Sequence, residues 1–182
     1  MAIIRVSGPP RSGKTTACDL LAPRIGYINY YTGRIFETLA EEQGLTKDKF
    51  FKALAENPNM EREIDRKQEE LMMHEDNLVV QGRMAPFLRY KPGVRAVNVL
   101  ITASINKCAE RELMASPNRH ESMEKAKQFL EERIATERLR YQSLCGISDY
   151  LAEEHFNIIV DTTLLDPTQV FEQLLAKVSQ LI

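Results

Sequence analysis

The sequence predicts an α/β fold, a five-stranded parallel sheet flanked by helices, and three observations predict it. Strand-like and helix-like stretches alternate along the chain, the pattern of a parallel sheet with helical crossovers. The first apolar strand runs into Gly8-Pro9-Pro10-Arg11-Ser12-Gly13-Lys14-Thr15, a G-x-x-x-x-G-K-[ST] loop that leads into a helix. The chain has 182 residues, enough for one such domain with a real core and too few for two independent ones.

The elements follow in order. Strands are expected at Ala2–Ser7, Tyr27–Tyr30, Leu78–Gln81, Ala96–Thr102 and Phe156–Asp161. Helices are expected from about Lys14, Gly33, Thr46, Met60, Ser104 and Glu121, and Pro167 opens the last at its first turn. Asn57-Pro58-Asn59 reads as a break before the charged helix at Met60, and Ser116-Pro117-Asn118 as a second break. The whole chain, 1–182, is read as one domain with two helical insertions, at about 32–76 and 115–150. Both fall beyond the carboxyl ends of strands, where an open α/β sheet binds its ligands.

Composition narrows the partners. Lys and Arg number 24 against 26 Asp and Glu, a formal net charge of -2. No global positive field exists to gather nucleic acid or a membrane surface, so neither is an expected partner. Cys18, Cys108 and Cys145 stand far apart with no C-x-x-C pair, which speaks against a disulfide framework or a zinc site. His74, His120 and His155 have no metal-ligand spacing. The chain begins directly with a strand, without a leader, and has no apolar run near the ~20 residues that span a bilayer. A soluble cytoplasmic protein is expected.

The loop carries the chemistry. Its glycines let backbone N–H groups turn inward at a phosphate, and the helix that follows presents its positive dipole end to the same anion. Lys14 reaches the outer phosphates as a mobile charge, and the Thr15 hydroxyl is a hard oxygen suited to Mg²⁺. The loop predicts that the chain binds a nucleoside triphosphate. Arg83 follows Gly82 at the end of the apolar third strand, which either delivers a guanidinium close to that loop for a two-bond grip on phosphate or leaves a surface arginine at a strand end.

Beyond these, the residues leave alternatives. Met123, Ala126, Leu130, Ile134, Glu137, Tyr141 and Leu144 trace a mainly apolar helical stripe, with Arg133 and Arg140 bordering it seven residues apart. The two arginines either meet a polyphosphate or are neutralised on a solvated face by Glu131, Glu132 and Glu137. Thr32-Gly33-Arg34 stands at a helix start and suits a second anion, or Arg34 is simply solvated. Asp65 and Arg66 either reach a base edge or belong to an ordinary polar helix face. Met72-Met73 and Phe50-Phe51 read as packing.

Taken together, these features resemble the nucleoside monophosphate kinases, and more narrowly the short cytidylate kinase family known best from archaea. The resemblance is collinear through Ile4–Thr16, Thr32-Gly33-Arg34-Ile35-Phe36, Glu63-Ile64-Asp65-Arg66-Lys67-Gln68, Gly82-Arg83, Arg140-Tyr141 with Gly146-Ile147, and Ile158–Thr162. It implies transfer of the ATP γ-phosphoryl group to CMP or dCMP with Mg²⁺, using an acceptor-binding insertion (32–76) and a lid (115–150). It implies that the loop from Gly8 to Thr16 (Pro9, Pro10, Arg11, Ser12 and Gly13 included) holds ATP, with Lys14 on the transferring phosphate and Thr15 on the metal. Arg83, beside Gly82, grips the acceptor phosphate, with Thr32, Gly33 and Arg34 nearby. Arg66 and Asp65 face the pyrimidine, Arg133 and Arg140 descend from the lid, and Asp161-Thr162 pass beside the donor base.

Three positions depart from that family pattern. Position 11 is Arg where Gly is usual, 37 is Glu where an acceptor-binding arginine is usual, and 81 is Gln where an acidic residue usually holds a metal-bound water. They leave two other readings open: a kinase for AMP, UMP or a small metabolite, and a catalytically impaired ATP-binding switch. Oligomeric state is left open too.

Overall fold

The computed structural model describes residues 1–31, 33, 40–41, 44–45 and 58–182. The expected helix starts near Gly33 and Thr46, and Thr32, Arg34, Glu37 and Phe50-Phe51, lie wholly or largely outside those residues.

Five parallel strands form one sheet in the order β2-β3-β1-β4-β5: β1 (Ala2–Ser7), β2 (Ile28–Tyr31), β3 (Leu78–Gln81), β4 (Arg95–Thr102) and β5 (Ile158–Asp161). β1 is central, with Val6 opposite Gln81 on one side and Val99 on the other. Every residue of β1 and β3 is buried, in keeping with their mainly apolar sequences; Arg5, the one charged residue, donates to the Leu88 carbonyl. The turn after β1 and the turn after β3 therefore emerge side by side.

Alternation along the strands feeds two cores. Ile4, Val6, Val79, Val99 and Ile101 pack against α1 (Lys14–Arg24) and α5 (Pro167–Val178) through Leu21, Val170 and Leu174. Ile3, Leu78 and Val80 face the other way, onto Met72 of α2 (Pro58–His74) and Tyr141 and Tyr150. A smaller core of Cys108, Ala109, Ala126 and Leu130 joins α3 (Ile105–Ala115) to α4 (Met123–Cys145).

Local signals set most boundaries. Ser104 caps α3, Ser122 caps α4, and Asp166 with Gln169 forms a capping box ahead of Pro167. Gly146, at φ 73°, ends α4 by offering its amide to Gln142. α2 starts at Pro58, two residues ahead of the expected start near Met60, because proline is tolerated in a first turn, where a helix has no N–H partner to lose. β5 starts two residues later than expected, since a 3₁₀ turn over Glu153–His155 precedes it. Among the described residues no helix is long and apolar enough to cross a membrane.

Candidate active site

The phosphate loop is shaped by what Gly8 cannot hold. Its φ is 151°, and a Cβ built there would lie 2.0 Å from the Ile101 carbonyl oxygen, so β1 and β4 close only on a glycine. Gly13, at φ 94°, precedes α1 without a side-chain cap, which leaves the first helical amides for an anion. Lys14 Nζ lies back on the loop, donating to the carbonyls of Gly8 and Pro9 at 2.7 Å each. Desolvation, reinforced by the Arg83 and Arg133 cations against the opposing pull of Glu137, brings its pKa down to about 7. Thr15 and Thr16 are exposed at the mouth of the helix.

Two clamps fix the loop from behind. The Thr162 hydroxyl, buried after β5, donates to the Ser12 carbonyl at 2.8 Å and accepts from Arg111 Nη1 at 2.9 Å. Arg111 also donates to the Arg11 carbonyl at 3.2 Å. Arg11 itself sits in the left-handed region, at φ 62°. Its Nε donates at 2.5 Å to Glu112, a carboxylate only 2% exposed that also faces His120 and Arg119. Burial pushes the Glu112 carboxyl up, but Arg11, His120 and Arg119 more than offset it and hold it below the usual carboxylate range. The bulky cation at position 11 is thus a strut from the loop to α3.

Arg83 arrives where the sequence put it, next to the loop. Its carbonyl accepts from Ser7 Oγ at 2.9 Å, and Gly82 N–H donates to the Val6 carbonyl. Its Nε donates at 2.6 Å to Glu137 Oε2 of α4. Arg133 Nε donates to Glu137 Oε1 at 3.1 Å, and Tyr150 O–H donates to Oε2 at 2.7 Å. Burial disfavours the Glu137 charge, yet the two guanidiniums and the Tyr150 hydroxyl keep its pKa below the ordinary value. Burial also works against the Arg83 cation, and Glu137 holds it charged well above that effect. Tyr150 is raised, first by burial and then by the carboxylate.

The remaining predicted residues are placed as follows. Arg140 lies across the ring of Tyr141, 5.2 Å from its centroid, on the helix that carries Arg133. Gln81 Nε2 donates to Asn29 Oδ1 at 3.2 Å, at the end of β3. Arg66 pairs with Glu70 one turn along α2, and both side chains are exposed. Asp65 accepts from Gln68. The Asp161 carboxylate turns back onto Thr163, so Thr162 rather than Asp161 touches the phosphate loop. Gly33 lies against Tyr31, where an added Cβ would fall 2.3 Å from the phenol oxygen.

A model of the cytidylate kinase-like family matches residues 3–164 of the sequence. The chain belongs to that family. The cytidylate kinase of Methanopyrus kandleri is 28% identical, over 99% of this chain and 94% of that protein. The cytidylate kinase of Pyrococcus abyssi is 33% identical, over 98% and 94%. Shikimate kinase from Acinetobacter baumannii, solved with shikimate, shares the fold at a TM-score of 0.66 and 16% identity, covering 99% of this chain and 94% of that one. This cytidylate kinase-like chain is a phosphotransferase on the P-loop kinase fold.

Sequence reasoning missed three residues that brace the phosphate loop and Arg83. Arg111 and Glu112 carry no sequence signal beyond being polar residues of a helix, and only the packing of α3 beside the loop turns them inward. Glu137 carried a visible signal: it is a carboxylate inside the otherwise apolar stripe of α4. A charge at a core-facing position asks for buried partners.

Proposed function

We infer that this chain transfers the γ-phosphoryl group of ATP to CMP or dCMP. The observation that carries the reading is the convergence of Lys14, Arg83 and Arg133 at the neighbouring carboxyl ends of β1 and β3, beside uncapped helix amides. Phosphoryl transfer asks for little covalent work. It needs two anionic substrates in line, water excluded, and positive charge around the transferring oxygens. Two polyanions repel each other, so cations must reach them from several directions.

In this reading the loop from Gly8 to Thr16 cradles ATP, and Lys14 leaves the Gly8 and Pro9 carbonyls for the outer phosphates. Arg83 grips the acceptor phosphate, while Arg133 and Arg140 bring charge from α4. Thr32, Gly33, Arg34, Asp65 and Arg66 belong to the acceptor side. Asp161 and Thr162 border the donor base. The residues present fit Mg²⁺ carried in with the nucleotide: Thr15 and Gln81 offer neutral hard oxygens, and among the described residues no three His, Cys, Asp or Glu side chains cluster as a dedicated metal site. When bound, Mg²⁺ neutralises phosphate charge.

The test is a coupled assay with Mg²⁺ across CMP, dCMP, UMP and AMP. Cytidine nucleotides are expected to be phosphorylated fastest, with negligible ATP hydrolysis when no acceptor is present. Lys14→Ala and Arg83→Ala are each expected to lower turnover at least about a hundredfold, the loss of a ~3 kcal/mol charge-assisted contact. A preference for AMP or UMP overturns the acceptor assignment. Tight ATP binding without turnover on any acceptor overturns the enzyme reading in favour of a switch.

A further inference from the structure

The geometry points to Glu137 as the positioning residue of the transfer site: its carboxylate holds Arg83 and Arg133 in place by their Nε atoms, and so sets the guanidiniums for phosphate. The inference rests on the phosphoryl-transfer reading above.

A carboxylate is an unexpected group beside a phosphate site, because it repels the substrates the site must attract. Glu137 is 5% exposed, and taking a carboxylate out of water costs several kcal/mol before any partner is counted. The arrangement of its contacts resolves the conflict. Both arginines are held through Nε, the inner corner of the guanidinium, at 2.6 Å for Arg83 and 3.1 Å for Arg133. Of the five N–H donors of Arg83, only the one at Nε is committed among the described residues. The paired Nη groups of Arg83, which match two phosphate oxygens at once, stay open to an anion.

Each carboxylate oxygen takes one arginine, so a single group sets the separation of two cations that come from different elements. Arg83 follows β3, and Arg133 and Glu137 stand one turn apart on α4. Left alone, two guanidiniums and the Lys14 ammonium would spread apart. Tyr150 O–H donates to Oε2 and packs edge-on against Tyr141 with ring centroids 5.2 Å apart, an accessory contact to an oxygen that Arg83 already occupies.

A purely structural role, docking α4 onto the sheet, would assign the same contacts a different consequence. The two are separated by the sign of an anion-binding change. Glu137→Gln removes a negative charge near the phosphate site. If Glu137 only docks α4, that loss leaves inorganic pyrophosphate bound equally or more tightly. If Glu137 orients the arginines, pyrophosphate binds more weakly although the site has become more positive.

The experiment uses the full chain as parent, Glu137→Gln, Glu137→Asp and Tyr150→Phe. It measures pyrophosphate affinity by calorimetry at pH 5, far enough below the titration of Lys14 that the ammonium stays charged without the upward pull of Glu137, together with kcat and KM at pH 7 and Tm. Glu137→Gln is expected to weaken pyrophosphate about tenfold and to lower kcat at least about thirtyfold, with KM for ATP within about threefold of the parent. Tyr150→Phe keeps the charge and is expected to stay within about threefold in each, with a lower Tm. Unchanged or tighter pyrophosphate binding in a folded Glu137→Gln overturns the inference. So does Tyr150→Phe as inactive as Glu137→Gln. If Glu137→Gln does not fold, Glu137→Asp decides: it retracts the oxygens by one methylene, and pyrophosphate affinity equal to the parent's overturns the inference. A parent that phosphorylates no nucleotide refutes the kinase reading, while the pyrophosphate comparison still judges Glu137.

Discussion

Lys14 is half-charged before any nucleotide arrives, and this makes binding a measurable proton uptake. Its pKa of about 7 reflects desolvation first, then the Arg83 and Arg133 cations, partly countered by Glu137. A phosphate that replaces the Gly8 and Pro9 carbonyls brings full negative charge to the ammonium and raises that pKa well above the working range. At pH 7 about half of the ammonium is missing, and at pH 8 about nine-tenths, so binding takes up about 0.5 and 0.9 of a proton respectively. Linkage then weakens apparent affinity by about fiftyfold from pH 7 to pH 9, or a little over 2 kcal/mol. The assay is calorimetric titration of ADP at pH 8, where the nucleotide itself is fully ionised, in buffers of different ionisation enthalpy. The slope of observed against buffer enthalpy gives the proton number. Lys14→Gln is expected to abolish the uptake. A slope near zero in the parent, or proton release, would refute the reasoning.

Three further outcomes follow from the same geometry. Gly8→Ala places a methyl 2.0 Å from the Ile101 carbonyl at a φ of 151°, and is expected to lower Tm by about 6–12 °C, roughly 3 kcal/mol, by scanning calorimetry. Arg11→Gly relieves a left-handed non-glycine residue worth about 1 kcal/mol but takes a partner from buried Glu112. Its Tm is expected to fall by about 2–6 °C, and a Tm equal to or above the parent's would show that the strut contributes nothing. Glu112 and Glu137 both have pKa values held below the ordinary carboxylate value, so the stability they add is complete above about pH 4.5 and is lost as pH falls through their lower folded-state values. Urea unfolding from pH 6 to pH 3 should show that loss, and Glu112→Gln should flatten it.

The fold was legible because its signals are local and mutually consistent. β1 and β3 matched to the residue, since each is an apolar run ended by a glycine-containing turn. The helix caps at Ser104, Ser122 and Asp166 each rest on chemistry within three residues. The errors arose where local chemistry has two readings. Pro58 breaks a helix in its interior but opens one at its first turn, and the sequence around it does not say which. Phe156 and Asn157 have strand-like neighbours, but the Phe156 amide turns back onto the Glu153 carbonyl in the 3₁₀ turn, and the Asn98 amide of β4 is taken by the Asn157 side chain.

The site divides along a different line. The placement of Lys14 and Arg83 was legible because one opens the helix that the loop after β1 leads into and the other stands two residues past β3, and the order of a parallel sheet carries both strand ends to the same edge. Arg11 and Glu137 were not, because their meaning lies in partners 101 residues away at Glu112 and 54 residues away at Arg83. For Arg133 and Arg140 the sequence left two readings, an anion site or neutralisation by a glutamate one turn on. The contacts of Glu137 remove the opposition between them. Arg133 does pair with the glutamate four residues ahead, but that glutamate is buried and simultaneously grips Arg83. An i,i+4 pair on a solvated face is worth only a few tenths of a kcal/mol and holds nothing in place. The same pair turned inward, with a second cation, Arg83, on the other oxygen, ties α4 to the turn after β3. What periodicity could not decide was therefore not the pairing but its burial, and burial is fixed by how α4 lies across the sheet.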